Sequence, residues 1–232
     1  MNIVSARGLS KTYDGEGVPV RAVRQVDFDI PQGAFAAFVG PSGSGKSTLL
    51  NLIGCLDQPS AGSLSVVGQD VTGLGRKERA RFRGAHIGFV FQDFNLVPVL
   101  SAFENVDYPL TILRRWPVAR RKQRVAEVLD AVELTAVADK RPDQLSGGQK
   151  QRVAVARALV TGADLVLAHE PTANLDRATA MRVIDLMKRM RDDLGTTFVF
   201  STHDHKIMQA AETRFVMEDG SLRLDDETGG AA

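Results

Sequence analysis

Gly40-Pro41-Ser42-Gly43-Ser44-Gly45-Lys46-Ser47-Thr48 is the stretch from which the fold of this 232-residue chain is read. The apolar run before it, Ala34-Phe35-Ala36-Ala37-Phe38-Val39, reads as a buried strand. The run after it, Leu49-Leu50-Asn51-Leu52-Ile53, reads as an apolar helix. Strand, glycine loop and helix form the context in which G-x-x-x-x-G-K-[ST] binds phosphate. Glycines let successive backbone N–H groups turn inward, and the start of the helix adds the positive end of its dipole. Lys46 would reach the β- and γ-phosphates, and the Ser47 hydroxyl would ligate Mg²⁺. An ordinary glycine-rich turn is the bland alternative, but it does not require this strand and helix on either side. The stretch reads as a site for a nucleoside triphosphate.

The chain is long enough for one large domain with a proper core. Charged residues make up 25% and the formal net charge is only +1. A broad nucleic-acid footprint would show as a strong basic excess, so no nucleic-acid partner is expected. Cys55 is the one cysteine, so no internal disulfide forms and a reducing cytosol suits the chain. It reads as a small buried hydrophobe in the helix after the loop. No run approaches a membrane span, and Arg7 and Lys11 precede no apolar signal core. Work at a membrane would need an anchor from elsewhere.

Outward from the loop, residues 2–39 read as β-rich. Short strands are predicted over 3–9, 18–26 and 28–30, with turns at 14–17 and 31–33. Tyr13 falls at the end of the first strand. A strand is predicted over 62–67 and a basic helix over 76–83, whose charge reads as a solvated face. Residues 87–91 form a strand ending at Gln92. Pro98 and Pro109 predict loop and irregular helix over 95–113, and the spacing of Val125, Val128, Leu129 and Val132 predicts a helix over 118–134. Pro142 interrupts, and a strong helix follows Leu145-Ser146-Gly147-Gly148-Gln149 to about residue 159. Strands follow at 165–168 and 197–200, the former a continuous apolar run of the kind buried in parallel sheets. Between them 181–194 is amphipathic, with Ile184, Met187 and Met190 in phase. A hairpin turns at Asp219-Gly220, and the tail after Asp226 is expected to fray. Strands alternating with helices from 34 to 201 predict an α/β fold with a mostly parallel sheet. The helical stretch 93–143 is expected to be an inserted subdomain, with 1–92 and 144–232 forming the core.

Leu145-Ser146-Gly147-Gly148-Gln149, placed after the phosphate loop at this separation, resembles the ATP-binding subunits of ATP-binding-cassette (ABC) transporters. The resemblance covers nearly the whole chain. It implies a P-loop NTPase core of RecA-like type, an N-terminal antiparallel β subdomain and the helical insert. It implies that Tyr13 stacks on adenine, that Gln92 lies between the subdomains, and that Ala173-Asn174-Leu175-Asp176 touches the opposing subunit of a homodimer. Ser146, Gly147, Gly148 and Gln149 would close on ATP held by the other copy; a hydroxyl and free N–H groups at a helix start suit that anion. Gln92 would touch metal or the attacking water, and His203 would contact the γ-phosphate. A tyrosine beside a turn or a histidine after a strand is by itself usually structural, and here position relative to the two motifs makes the case.

Asn95-Leu96-Val97-Pro98, Glu104-Asn105-Val106, Leu56-Asp57 and Asn174-Leu175-Asp176 resemble the branch serving lipoprotein release and macrolide export. That implies a separate integral membrane permease, gripped by the helical insert and the segment after Gln92, with the chain peripheral on the cytoplasmic face of the inner membrane. Phe94, Leu96, Val97, Val99, Leu100 and Phe103 would supply apolar contact or, equally, core packing. A soluble cassette acting on ribosomes or DNA would instead carry paired cassettes, coiled-coil insertions or basic extensions.

One position departs from the family. Its strand ends in aspartate then glutamate, whereas here Leu165-Val166-Leu167-Ala168 is followed by His169-Glu170. Magnesium prefers hard oxygen ligands in a strict octahedron, and imidazole offers a softer nitrogen. Glu170, which would orient or deprotonate the attacking water, is in place. Three readings stand: an engineered or accidental change in an active ATPase, a natural slow ATPase, and a nucleotide-gated interaction module that hardly turns over.

Overall fold

A computed structural model describes residues 1–14, 18–114 and 116–225. Two strands open the chain, β1 (Asn2–Tyr13) and β2 (Val20–Pro31), followed by β3 (Phe35–Val39) and α1 (Lys46–Ile53). Next come β4 (Ala61–Val66), β5 (Gln69–Asp70), α2 (Arg76–His86) and β6 (Ile87–Val90). Three helices follow, α3 (Ala102–Leu113), α4 (Val118–Ala131) and α5 (Gly147–Leu159). The last elements are β7 (Leu165–His169), α6 (Arg177–Leu194), β8 (Thr197–Thr202), α7 (His205–Ala210), β9 (Thr213–Glu218) and β10 (Ser221–Leu224).

The strands form two sheets. One is antiparallel, in the order β2-β1-β4-β5. The other runs β10-β9-β3-β8-β7-β6, parallel except for the β9–β10 hairpin. The mostly parallel core, the antiparallel N-terminal sheet and the helical stretch expected from the sequence are all present.

β3 lies in the middle of the parallel sheet, and all five of its residues are buried. Side chains alternate across a strand, so its apolar run feeds two cores. Phe35, Ala37 and Val39 join the cluster formed with α3, α4, α5 and α6. Ala36 and Phe38 join a second cluster with α1 and the antiparallel sheet. α1 is therefore held between the two sheets. Cys55 belongs to this second core at 2% exposure, where burial pushes its thiol up to about 11.

Four local expectations change. Instead of two strands over 18–26 and 28–30 there is one, Val20–Pro31, because Gln25 takes a positive φ of 49° and absorbs a bulge without breaking the pairing. Residues 102–113 form one helix despite Pro109. Ser101 and Glu104 cap its start reciprocally, and buried Val106 and Leu110 outweigh the one N–H that proline lacks. α6 begins at Arg177, where the Asp176 side chain accepts from the Thr179 N–H, four residues before the apolar periodicity is visible. Cys55 lies just beyond α1 with φ 54°, not within it. Residues 15–17 of the first turn and the tail from 226 lie outside the described residues.

Phe200, fully buried on β8, packs its ring 4.5 Å from that of Phe35. Phe200→Ala is expected to cost about 3–5 kcal/mol, read as a lowered denaturation midpoint in urea.

Candidate active site

The loop after β3 is fixed from both sides. A Cβ at Gly40, whose φ is 147°, would stand 2.1 Å from the Met217 carbonyl oxygen of β9. At Gly45, φ 108°, it would stand 2.2 Å from the Ala22 oxygen of β2. Only glycine fits at these two places. Gly45 is also the cap of α1 and offers no side chain, so the first N–H groups of the helix are left to face the cavity. Lys46 is 7% exposed, and its Nζ donates to the Gly40 and Pro41 carbonyls at 2.8 and 2.7 Å. Burial pushes its ammonium below the ordinary value, and the charge of Glu170 pulls it back up.

A cavity of about 870 Å³ opens over this loop. Pro41, Ser42, Gly43, Gly45, Lys46, Ser47 and Thr48 line it, while Gly40 and Ser44 are not among its lining residues. Tyr13 lines one end and Gln92, His169, Glu170 and His203 another. The parallel strands β3, β6, β7 and β8 deliver the loop, Gln92, the His169–Glu170 pair and His203 at their carboxyl ends, where open α/β sheets hold ligands, while Tyr13 comes from the end of β1.

Glu170 follows β7 in the left-handed region, with φ 44°, and its N–H donates to the Ser201 carbonyl at 3.0 Å. Its carboxylate accepts from Thr202 Oγ1 at 2.9 Å and from the His203 N–H at 3.1 Å. His203 Nδ1 lies 2.6 Å from the same carboxylate, and most of the His203 side chain is exposed. His169 Nδ1 lies 3.3 Å from Ser201 Oγ. Behind them Asp204 accepts from Thr172 Oγ1 at 2.7 Å and caps α7 through the Lys206 N–H. Burial pushes the Asp204 carboxyl up, but its bonds to Thr172 and Lys206 prevail and hold it below the ordinary value.

Tyr13 is positioned at long range. Its hydroxyl donates to Asp57 at 2.8 Å, the other carboxylate oxygen accepts from Lys11 Nζ, and that ammonium stands 4.8 Å from the ring centroid. One face of the ring is thus taken and its orientation set.

Five site residues expected from the sequence lie elsewhere in the chain. Ser146 and Gly148 line a separate cavity of about 440 Å³ with Arg152, Thr179 and Arg182. Ser146 Oγ accepts from the Gln149 N–H while Gln149 returns the bond, and Gly147 begins α5 between them. Asp176 caps α6. The two regions are joined by Asn174, whose amide donates to the Gln92 carbonyl and to Asp93. Arg157 of α5 donates to the carbonyls of Phe94 and Asn95, both with positive φ. Asp57, Lys11, Thr202 and Arg157 were not visible as site-supporting residues, because each partner is supplied by folding from another segment.

The family described as ABC transporter matches residues 23–173. The chain belongs to that family. The cassette is 43% identical over 221 residues to the lipoprotein-releasing system ATP-binding protein LolD 1 of Caulobacter vibrioides, covering 95% of this chain and 94% of that one. It is 42% identical to the macrolide export ATP-binding/permease protein MacB of Nitrosomonas europaea, covering 97% of this chain and 34% of MacB. Among solved structures it is similar to the dimeric post-hydrolysis state of the cassette MJ0796, bound to ADP and Pi. That likeness has a TM-score of 0.86 and 39% identity, over 96% of this chain and 97% of that one; MJ0796 is from Methanocaldococcus jannaschii. This chain is the ATP-binding cassette of an ABC transporter and an ATPase by family. No helix among the described residues is long and apolar enough to cross a membrane.

The lowered Asp204 carboxyl adds stability that is complete at neutral pH, above its ordinary value of 3.8. That stability is lost as pH falls through the lowered folded value. Asp204→Asn is expected to lower the thermal midpoint at pH 7, with a gap to the parent that narrows as pH drops below 3.8, read by thermal melts across pH.

Proposed function

We propose that two copies of the cassette close around two ATP molecules and drive a separate integral membrane permease of lipoprotein-release or efflux type, from the cytoplasmic face of the inner membrane. One observation carries this reading. In a single chain the Ser146 turn lies on a different cavity from the Lys46 loop, so each ATP meets both only when a second copy supplies the turn. The dimeric MJ0796 cassette, similar over nearly the whole chain, supports it.

The chemistry follows from this chain's own groups. Tyr13 offers adenine the ring face opposite Lys11. Free N–H groups of α1 and the Lys46 ammonium hold the β- and γ-phosphates and stabilise charge as the γ-phosphoryl group leaves. The Glu170 carboxylate, aligned by Thr202, orients or deprotonates the attacking water. His203, swung from Glu170, donates to the γ-phosphate, and Ser146 with Gly147, Gly148 and Gln149 approaches from the partner copy, Asp176 beside it. A divalent ion bound with ATP would offset phosphate charge. Ser47 and the Gln92 amide offer it oxygen, which suits magnesium, whereas the imidazole at the end of β7 does not. That departure keeps a second reading, a hydrolysis-impaired nucleotide-gated interaction module; fast turnover by the cassette, equal to that of a His169→Asp variant, would exclude it.

We further propose that residues 93–143 act as a helical subdomain that transmits closure to the permease. A groove of about 530 Å³ beside α2, β6 and α3 suits an apolar permease segment, with Phe89, Phe91, Tyr108 and Ile112 on its walls. Within the segment after Gln92, Val99 is exposed for contact, whereas Leu96 and Phe103 pack on the core.

Lys46→Ala is expected to weaken ATP binding at least tenfold, since a charged hydrogen bond contributes about 1.5–3 kcal/mol, measured by equilibrium binding of labelled ATP. Retained affinity would contradict the phosphate assignment. Glu170→Gln is expected to slow turnover roughly a hundredfold or more and to trap an ATP-bound dimer, read by size-exclusion chromatography with ATP. A monomer under those conditions, with aspartate also placed at 169, would overturn the two-copy reading.

A further inference from the structure

The cavity over the phosphate loop holds two imidazoles, of His169 and of His203, and, apart from Glu170 and Asp219, no carboxylate. Both oxygens of Glu170 accept hydrogen bonds, from Thr202 Oγ1 and from the His203 backbone N–H, and these remain when the His203 ring turns to the phosphate. Asp219 belongs to the β9–β10 turn, where the next residue, Gly220, accepts from the Arg24 N–H of β2, away from the end of β7. The donors left for an ion among Ser47, Gln92 and His169 are a hydroxyl, an amide oxygen and a ring nitrogen. Among the described residues no group of three or more His, Cys, Asp or Glu side chains could hold an ion by itself. An ion here would need further donors, which a bound nucleotide would supply.

His169 is built for that role. It ends β7 opposite Ser201 of β8, and the buried Ser201 hydroxyl lies 3.3 Å from Nδ1. An Nδ1–H donated to that hydroxyl leaves Nε2 with its lone pair, the arrangement in which ligating histidines are held by an oxygen on the far ring nitrogen. Nε2 also stands further from its own Cα than an aspartate oxygen at this position would, on a side chain that lines the cavity. Magnesium keeps its water and takes oxygen; affinity for nitrogen donors rises through manganese to cobalt.

We propose that His169 ligates the nucleotide-bound divalent ion through Nε2 and shifts the preference of the cassette from magnesium towards manganese and cobalt. The proposal rests on ATP binding at the Lys46 loop. It is tested on the full chain by measuring the affinity for adenylyl imidodiphosphate with Mg²⁺, Mn²⁺ or Co²⁺, for the parent and for His169→Asp. The ratio of affinity with Co²⁺ to that with Mg²⁺ is expected to be roughly tenfold larger in the parent, the lower end of what altering a metal's surroundings does. Comparing ratios cancels the preference of the nucleotide itself. With ¹⁵N-histidine-labelled protein, the spin echo of bound Mn²⁺ is expected to show one ¹⁵N coupling that disappears in His169→Ala and persists in His203→Gln. Equal ratios in parent and His169→Asp, or nucleotide-bound Mn²⁺ without ¹⁵N coupling, would overturn the proposal while leaving ATP binding intact. Failure of the parent to bind the nucleotide with any ion would overturn the ATP reading as well.

Discussion

The amide groups at the start of α1 have no side-chain cap, and the chain leaves them so on purpose of geometry: Gly45 sits where a capping side chain would stand. Unsatisfied donors at a helix start are a cost to the fold and an attraction for an anion. They are tolerable only if the loop before them cannot collapse onto them. β2 and β9 prevent that by pressing carbonyl oxygens against Gly45 and Gly40. β3 then holds the loop from below, buried on both faces at the centre of the parallel sheet. Two cores, one on each side of β3, therefore converge on one set of backbone dipoles.

The chemistry is arranged around that anchor by neighbouring strands. β8 ends in Ser201-Thr202, which reach sideways to His169 and Glu170 at the end of β7. Because the two strands are paired in parallel register, these four residues are placed by the same ladder that holds the sheet. Glu170 adopts its left-handed backbone within this frame, as strained positions at functional sites do when their surroundings over-determine them. Asn174 carries the connection to the Gln92 loop, and Arg157 carries it to α5. A chain of hydrogen bonds thus runs from Asn174, four residues after Glu170, through the Gln92 loop to Arg157, which lines the apolar groove beside α3.

The same arrangement gives a physical role to the separation of the two helix starts. α5 has a reciprocal Ser146–Gln149 cap and stands complete without a ligand. α1 has none. One start is capped and exposed at Ser146; the other offers its first N–H groups to the cavity with no side-chain partner. That asymmetry suits a device in which the nucleotide is first held by one copy and then covered by the next.

The phosphate loop, the capped turn at Ser146 and the alternating order of strands and helices were legible from residue order, because each is a local pattern with a local physical cause, whereas the departure at 169 was legible only against the family that the chain resembles. Cap residues and apolar runs act on their immediate neighbours, so they leave a readable trace. Other features had no such trace. Tyr13 is oriented by Asp57 and Lys11, Glu170 by Thr202, and the Gln92 loop by Asn174, across separations of tens of residues. Whether Pro109 would break a helix was settled by burial of Val106 and Leu110, a packing effect that outweighs local propensity. The pairing of His169 with Ser201 depends on which strand lies beside β7, and strand order is a property of the folded sheet, not of any one segment.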